Sequence, residues 1–249
     1  PRHYVRSPLG FWKNFKGGFT LAEFLITLGI IGIVAAITIP NLITKHQKKV
    51  TATRLKANYT IFAQAIEKSQ QDNGEISMWP ARSSITKQEF EQQYILPYLN
   101  NPQETKKHIV YALSKTPNKN SHIAIHWIAN SSGHFYQLPN GAVFTTGLYS
   151  LNDERYIAVD INGTKGPNIM GKDVFLFNIG IRSYQPYKRN KLSPGINDGQ
   201  TFEEVTADSC KYGSWGNCSF CDNGTGYNGA NCAALIAIEN WEITENYPW

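Results

Sequence analysis

The sequence predicts an α+β fold: a long N-terminal helix, transmembrane in its first half, packs its second half on an antiparallel β-sheet head that carries a Cys-containing C-terminal loop. Three observations predict it. Residues 24–43 are almost wholly apolar, the residues after them repeat apolar side chains at helical spacing, and the chain beyond residue 105 turns to period-two, β-rich runs separated by turn residues.

From Phe24 to Ile43 the apolar run is interrupted only by Thr27, Thr38 and Asn41. About 20 such residues in a helix cross the hydrocarbon core of a bilayer. Glu23 stands at the head of the run. An ionised carboxylate costs roughly 2.5–3.5 kcal/mol at mid-bilayer, less near the interface, so Glu23 is expected to find a partner. Upstream lie Arg2, Arg6, Lys13 and Lys16 with no acid among them, ending in Lys16-Gly17-Gly18. A processing junction there would precede the apolar run, the reverse of an ordinary secretory signal.

Gly18-Phe19-Thr20-Leu21-Ala22-Glu23 resembles the signal of type IV prepilins and of the pseudopilins of type II secretion. The resemblance covers about residues 13 to 45 and implies a pilin-like fold. It implies cleavage by a prepilin peptidase between Gly18 and Phe19, methylation of the new amine of Phe19, and Glu23 as the family's hallmark acid. Pro40 matches the helix-kinking proline common in such stems. The partners implied are the peptidase, other pilin or pseudopilin subunits in a homo- or heteropolymer, and an inner-membrane assembly platform. In a filament the amine of Phe19 on one subunit would neutralise Glu23 of its neighbour, making the acid a register key. Gly29, Gly32, Ala35 and Ala36 would let neighbouring helices approach closely.

Charge gives no case for nucleic acid. The chain carries 24 basic and 19 acidic residues, a net of +5, but four of the basic residues lie in the leader and the remainder is nearly neutral. Nor does charge orient the span, because Lys45, Lys48, Lys49, Arg54 and Lys56 balance the leader. The leader motif assigns residues 1–18 to the cytoplasm and the head to the exported side.

Beyond Pro40 the helix is expected to continue, with a kink or local melt at the proline, which lacks an amide donor. Ala52, Leu55, Tyr59, Phe62 and Ile66 follow at steps of three and four, and Asp72-Asn73-Gly74 supplies a stop. The organisation is then a leader over 1–18, a membrane or filament-core helix over 19–43, an amphipathic second half over 44–72, and a head over 73–249 with a Cys-rich loop at 201–232. In the head, 75–84 reads as a loop. Thr86-Lys87-Gln88-Glu89 is a capping-box pattern opening a short helix that Pro97 closes. Strands are expected at 109–113, 123–128, 134–138, 142–146, 156–161 and 174–179, with Asn140-Gly141 turning one into the next.

Between the last two strands, Asp160, Asn162, Asn168 and Asp173 offer hard oxygen donors at loop spacing, which suits calcium. The same residues are ordinary turn chemistry, and both readings stand at this point. Residues 182–200 read as a surface excursion. Cys210, Cys218, Cys221 and Cys232 follow in a Gly/Asn-rich stretch. In an exported head an even count favours two disulfides, with three connectivities open; zinc or redox-active thiols are the alternatives. Leu235, Ile236, Ile238, Trp241 and Ile243 read as a last strand.

The sequence holds no G-x-S-x-G elbow and no phosphate-binding loop. His122 and His126 fall in a strand-like alternation, where they cannot form a helical metal pair. The expectation is a non-enzymatic structural subunit, anchored in the inner membrane before assembly and then part of an extracellular pilus or periplasmic pseudopilus. The alternative is a minor pilin whose Cys-rich loop adheres to a surface or captures DNA.

Overall fold

The computed structural model describes residues 18, 20–81, 83–105, 134–149, 154–163, 165–166, 169–180, 191–194, 231–245, 247 and 249. They divide into two compact units, Pro1–Lys45 and His46–Trp249. Helix α1 spans Leu21–Asn73. The expected local melt at Pro40 is not found, because the helix runs without a break through residues 39–41. Side chains beside the proline bond back onto helix carbonyls: Thr44 Oγ1 donates to the Pro40 carbonyl at 3.0 Å and Asn41 Nδ2 to the Ile37 carbonyl at 3.3 Å.

In the second unit, α1 buries Ala52, Leu55, Phe62 and Ile66 of the expected stripe at 4% exposure or less, while Tyr59 is only partly buried and Ala65, outside the expected set, joins the buried face. Two polar residues share that buried face. Asn58 donates to the Arg54 carbonyl and accepts from Asn140 Nδ2 at 3.1 Å, and Ser69 accepts from Asn73. A polar group at a core-facing position persists only when so satisfied.

The helix packs on a six-stranded sheet in the order β1 (Gln103–Thr105), β2 (Phe135–Gln137), β3 (Val143–Tyr149), β4 (Glu154–Asp160), β5 (Val174–Ile179) and β6 (Leu192–Pro194). Every neighbouring pair is antiparallel, and among the described residues the strands lie side by side in chain order. Phe144, Ile157, Val159, Phe175, Phe177 and Ile179 join Leu55, Phe62 and Ile66 in one core. Phe62 sits edge-on to Phe144 at 5.0 Å between ring centroids, and Tyr59 edge-on to Phe177 at 5.6 Å, the offset geometry that aromatic quadrupoles favour.

The β2–β3 connection is a three-residue loop rather than a two-residue hairpin. Gly141 N donates to the Leu138 carbonyl at 2.9 Å and Leu138 N to the Ala142 carbonyl at 2.8 Å. Pro139 takes the first turn position and Gly141 the left-handed one, φ +88°.

Between α1 and the sheet a 3₁₀ turn, Ile76–Met78, places Ile76 and then Trp79 in the core. Helix α2, Lys87–Phe90, opens with the full capping box: Thr86 N donates to Glu89 Oε2 at 2.9 Å and Glu89 N to Thr86 Oγ1 at 3.2 Å. It runs into a π-helical turn, Glu91–Ile95, and a 3₁₀ turn, Leu96–Tyr98. Pro97 therefore does not close the helix before itself but lies inside its last tightened turn, where an absent amide costs least.

The expected C-terminal strand is instead a helix, α3, over Cys232–Ile238. Ala233, Ala234 and Ala237 favour helix, and an apolar run this short carries no period that separates the two states. Asn240 in the left-handed region (φ +56°) ends it, with Trp241 N donating back to the Ile236 carbonyl at 2.8 Å. The expected strands at 109–113 and 123–128 lie outside the described residues.

Candidate functional site

In the first unit, the residues that matter sit where α1 begins. Gly18 is exposed, with no atom within 4 Å of where a Cβ would stand. Glu23 has a partner within its own chain. Thr20 N and Thr20 Oγ1 both donate to Glu23 Oε2 at 2.8 Å, and Glu23 N donates to Thr20 Oγ1 at 3.2 Å, a capping box closing the first turn. The Ser/Thr-x-x-Glu signature Thr20-Leu21-Ala22-Glu23 was in the sequence but stood masked by the processing motif overlapping it.

The rest of this unit is an apolar rod with its side chains outward: Leu21, Ile26, Ile31, Ile33, Ile37 and Leu42 are each more than 60% exposed. Its three polar interruptions satisfy themselves. Thr27 donates to the Phe24 carbonyl at 2.8 Å, Thr38 to that of Val34 at 2.9 Å and Asn41 to that of Ile37. A helix whose polar groups are internally bonded is the form a bilayer tolerates. Among the described residues α1 is the one helix long and apolar enough to cross a membrane.

In the second unit, the loop between β4 and β5 gathers three of the four expected oxygen donors. Asp160, the last residue of β4, is 0% exposed, and Asp173, just before β5, is 3% exposed. Asp160 Oδ1 accepts from Asn162 N at 3.0 Å, Asn162 Nδ2 donates to Asp173 Oδ2 at 3.3 Å, and Ile169 N donates to Asp173 Oδ1. Among the described residues Asp160 Oδ2 and Asn162 Oδ1 are buried and find no hydrogen-bond partner. Burial, with the Asp173 charge nearby, pushes the Asp160 carboxyl up to about 7, against the hydrogen bonds from Asn162 and Gly163. Asn168 lies outside the described residues.

The far side of that loop is pressed against the chain's C-terminal region. Tyr247 OH donates to the Gly171 carbonyl. A Cβ on Gly171 (φ +80°) would stand 2.6 Å from Cys232 Sγ and 2.9 Å from Tyr247 OH. Lys172 rests its ammonium 5.7 Å over the Trp249 ring, and its carbonyl accepts from Thr51 Oγ1 of α1 at 3.4 Å. Cys232 is disulfide-bonded. Cys210, Cys218 and Cys221 lie outside the described residues, as do Phe19, His122 and His126.

A third polar cluster had no sequence signal beyond the capping box beside it. Glu91, in the π-helical turn, is fully buried and accepts from Thr146 Oγ1 at 2.5 Å and Tyr136 OH at 3.1 Å. Lys87 Nζ lies 3.7 Å from Glu91 Oε1 and donates to Thr145 Oγ1 at 3.0 Å. Burial raises the Glu91 carboxyl above its ordinary range and lowers the Lys87 ammonium, each opposed by the other's charge. Five side chains from two helical turns and two strands close on one another there, so this is a cross-link rather than an open site. Among the described residues no three His, Cys, Asp or Glu side chains are grouped to hold a metal.

An exposed apolar helix behind a basic leader, with an acid capping its first turn, defines a protein carrying a type IV prepilin-type signal. Residues 13–39 match the prokaryotic N-terminal methylation motif, and the apolar helix they open fits membrane anchoring of a prepilin. Residues 41–249 match the model of a family of unknown function (DUF6613), and the chain belongs to that family. No curated protein and no solved structure matches the chain.

Proposed function

We propose that this chain is a non-enzymatic structural subunit, cut between Gly18 and Phe19 by a prepilin peptidase, methylated on Phe19, and assembled through α1 into a type IV pilus or a type II secretion pseudopilus. The observation that carries it is the methylation motif running directly into a bare apolar helix whose acid, Glu23, is held by Thr20 among the described residues. Before assembly the capping box offsets part of the cost of a carboxylate at the membrane edge. In the polymer, the freed and methylated amine of Phe19 on a neighbouring subunit takes over as partner, so that axial register is chosen by charge. The inner-membrane platform and other subunits are its partners, and the head is exported.

The second reading is a minor pilin whose head adheres to a surface or captures DNA. Cys232, disulfide-bonded and buried in the core, supports it, because the residues before it are thereby tethered to a rigid base. Mass analysis of the mature N-terminus tests the first reading. We expect a chain beginning at methylated Phe19, and a Glu23→Ala variant that is still cut but incorporated into filaments at least tenfold less. A mature protein retaining residues 1–18 would refute it.

A further inference from the structure

We propose that the basic segment over residues 48–56 of α1, with Lys172 beside it, is a docking surface for anionic lipid headgroups, and that it holds the unassembled subunit against the outer leaflet of the membrane that α1 crosses. The proposal rests on the anchored, head-exported reading given above.

The apolar run ends at Ile43, and Lys45, Lys48, Lys49, Arg54 and Lys56 follow it in the chain. No Asp or Glu occurs from residue 24 to residue 66. Lys49, Arg54 and Lys56 are exposed and Lys48 is half-buried. Lys49 and Lys56 stand seven residues apart, on one face of the helix, and Arg54 falls on another. Among the described residues none of these four side chains enters an ion pair. Their charge is therefore left for a partner outside the chain.

The head adds to this surface. Thr51 Oγ1 donates to the Lys172 carbonyl at 3.4 Å, so the β4–β5 loop meets α1 between Lys48 and Arg54. There the Lys172 ammonium lies 5.7 Å over the ring of Trp249, which is itself half-buried. Lysine beside tryptophan suits a membrane–water interface: the ring sits at headgroup level, and the long alkyl stem lets the ammonium reach phosphate. The acids of the loop do not cancel this charge at the surface, because Asp160 is 0% and Asp173 3% exposed.

An anionic bilayer fits these cations better than a soluble polyanion or an acidic protein. Lys45, Lys48 and Lys49 come two, five and six residues after Ile43, about 9 Å of helix at most, and surface phosphates act over a Debye length of about 8–10 Å. Cations on the exported flank also oppose the inside-positive bias that orients membrane helices, and lipid phosphates at that flank offset the conflict. A lysine carries a point charge on a flexible stem, which matches a mobile layer of headgroups rather than one shaped ligand. Each lysine near an anionic leaflet strengthens attachment by about fivefold. A subunit entering a polymer must exchange these phosphates for other contacts, so lipid charge sets how readily it leaves the bilayer.

The test places the full chain in nanodiscs of phosphatidylcholine with a minor share of phosphatidylglycerol. Spin-labelled forms of the two lipids report, by electron paramagnetic resonance, which one is held against the protein. The leader's cations, on the other side of the span, contribute a preference of their own, so the quantity read is the difference between wild type and Lys48→Gln/Lys49→Gln. We expect wild type to favour the phosphatidylglycerol label at least about threefold more than this variant at low salt, with the gap closing near 1 M salt, where the Debye length is about 3 Å. Lys48→Arg/Lys49→Arg should retain the preference, and Lys172→Gln should lose part of it. Lys68→Gln, exposed on α1 but far along the chain from the apolar run, should match wild type. Equal preference in wild type and Lys48→Gln/Lys49→Gln, an equal loss in Lys68→Gln, or full displacement of the label by inorganic phosphate at matched ionic strength would each overturn the proposal. A chain that never enters the nanodisc would refute the anchored reading, and the docking surface with it.

Discussion

Replacing Gly171 by Ala tests the close approach of the β4–β5 loop to the C-terminal region, and Gly141→Ala is its internal control. Both glycines lie in the left-handed region, at φ +80° and +88°, so an alanine at either costs about 1–2 kcal/mol of backbone strain. They differ in space. Around Gly141 nothing lies within 4 Å of the new methyl, whereas at Gly171 it meets Cys232 Sγ at 2.6 Å and Tyr247 OH at 2.9 Å. The sulfur is held by a disulfide and the tyrosine is buried, so neither yields as an exposed side chain would. Overpacking of this kind adds about 1–3 kcal/mol. For a head of this size each kcal/mol moves the melting temperature by about 2–4 °C. Gly171→Ala should therefore melt about 2–12 °C below Gly141→Ala, measured by circular dichroism on the oxidised full chain in detergent. Equal losses for the two variants would refute the contact.

Two further outcomes follow from packing and charge. Phe62→Ala removes a fully buried ring that meets Phe144 and Phe177, and should cost the head about 3–5 kcal/mol in chemical denaturation; a loss under about 1 kcal/mol would mean that α1 does not pack there. Glu91 gives a pH dependence. Its folded carboxyl is raised by burial, against Lys87, Thr146, Tyr136 and His134, so its contribution is fully present below the ordinary glutamate value and is lost as pH rises through the folded one. The melting temperature of wild type relative to Glu91→Gln should thus fall as pH rises from about 4 toward neutrality, and a difference that grows instead would reverse the assignment.

Most of the fold was legible because its signals are local. The length of the apolar run, the three-and-four spacing from Ala52 to Ile66, the Thr86 capping box and the run Val174–Ile179 each state their structure within a few residues. The edge strands were not legible. Gln103–Thr105 and Leu192–Pro194 have no alternation of their own and become strands only because β2 and β5 offer unpaired edges. The C-terminal segment misled for the opposite reason: its apolar residues fit either state, and packing against β5 and β6 selected the helix.

By itself the sequence determined that this chain carries a prepilin-type signal, which stretch is long and apolar enough to cross a membrane, and that an α+β head follows, since length, hydropathy and a few consecutive residues state each of these locally. Tertiary structure alone decided that Glu91 and Lys87 lock a π-helical turn to the sheet, and that Asp160 and Asn162 keep two oxygens without donors among the described residues. Those outcomes depend on which distant side chains arrive with a proton to give, and no spacing along the chain encodes that.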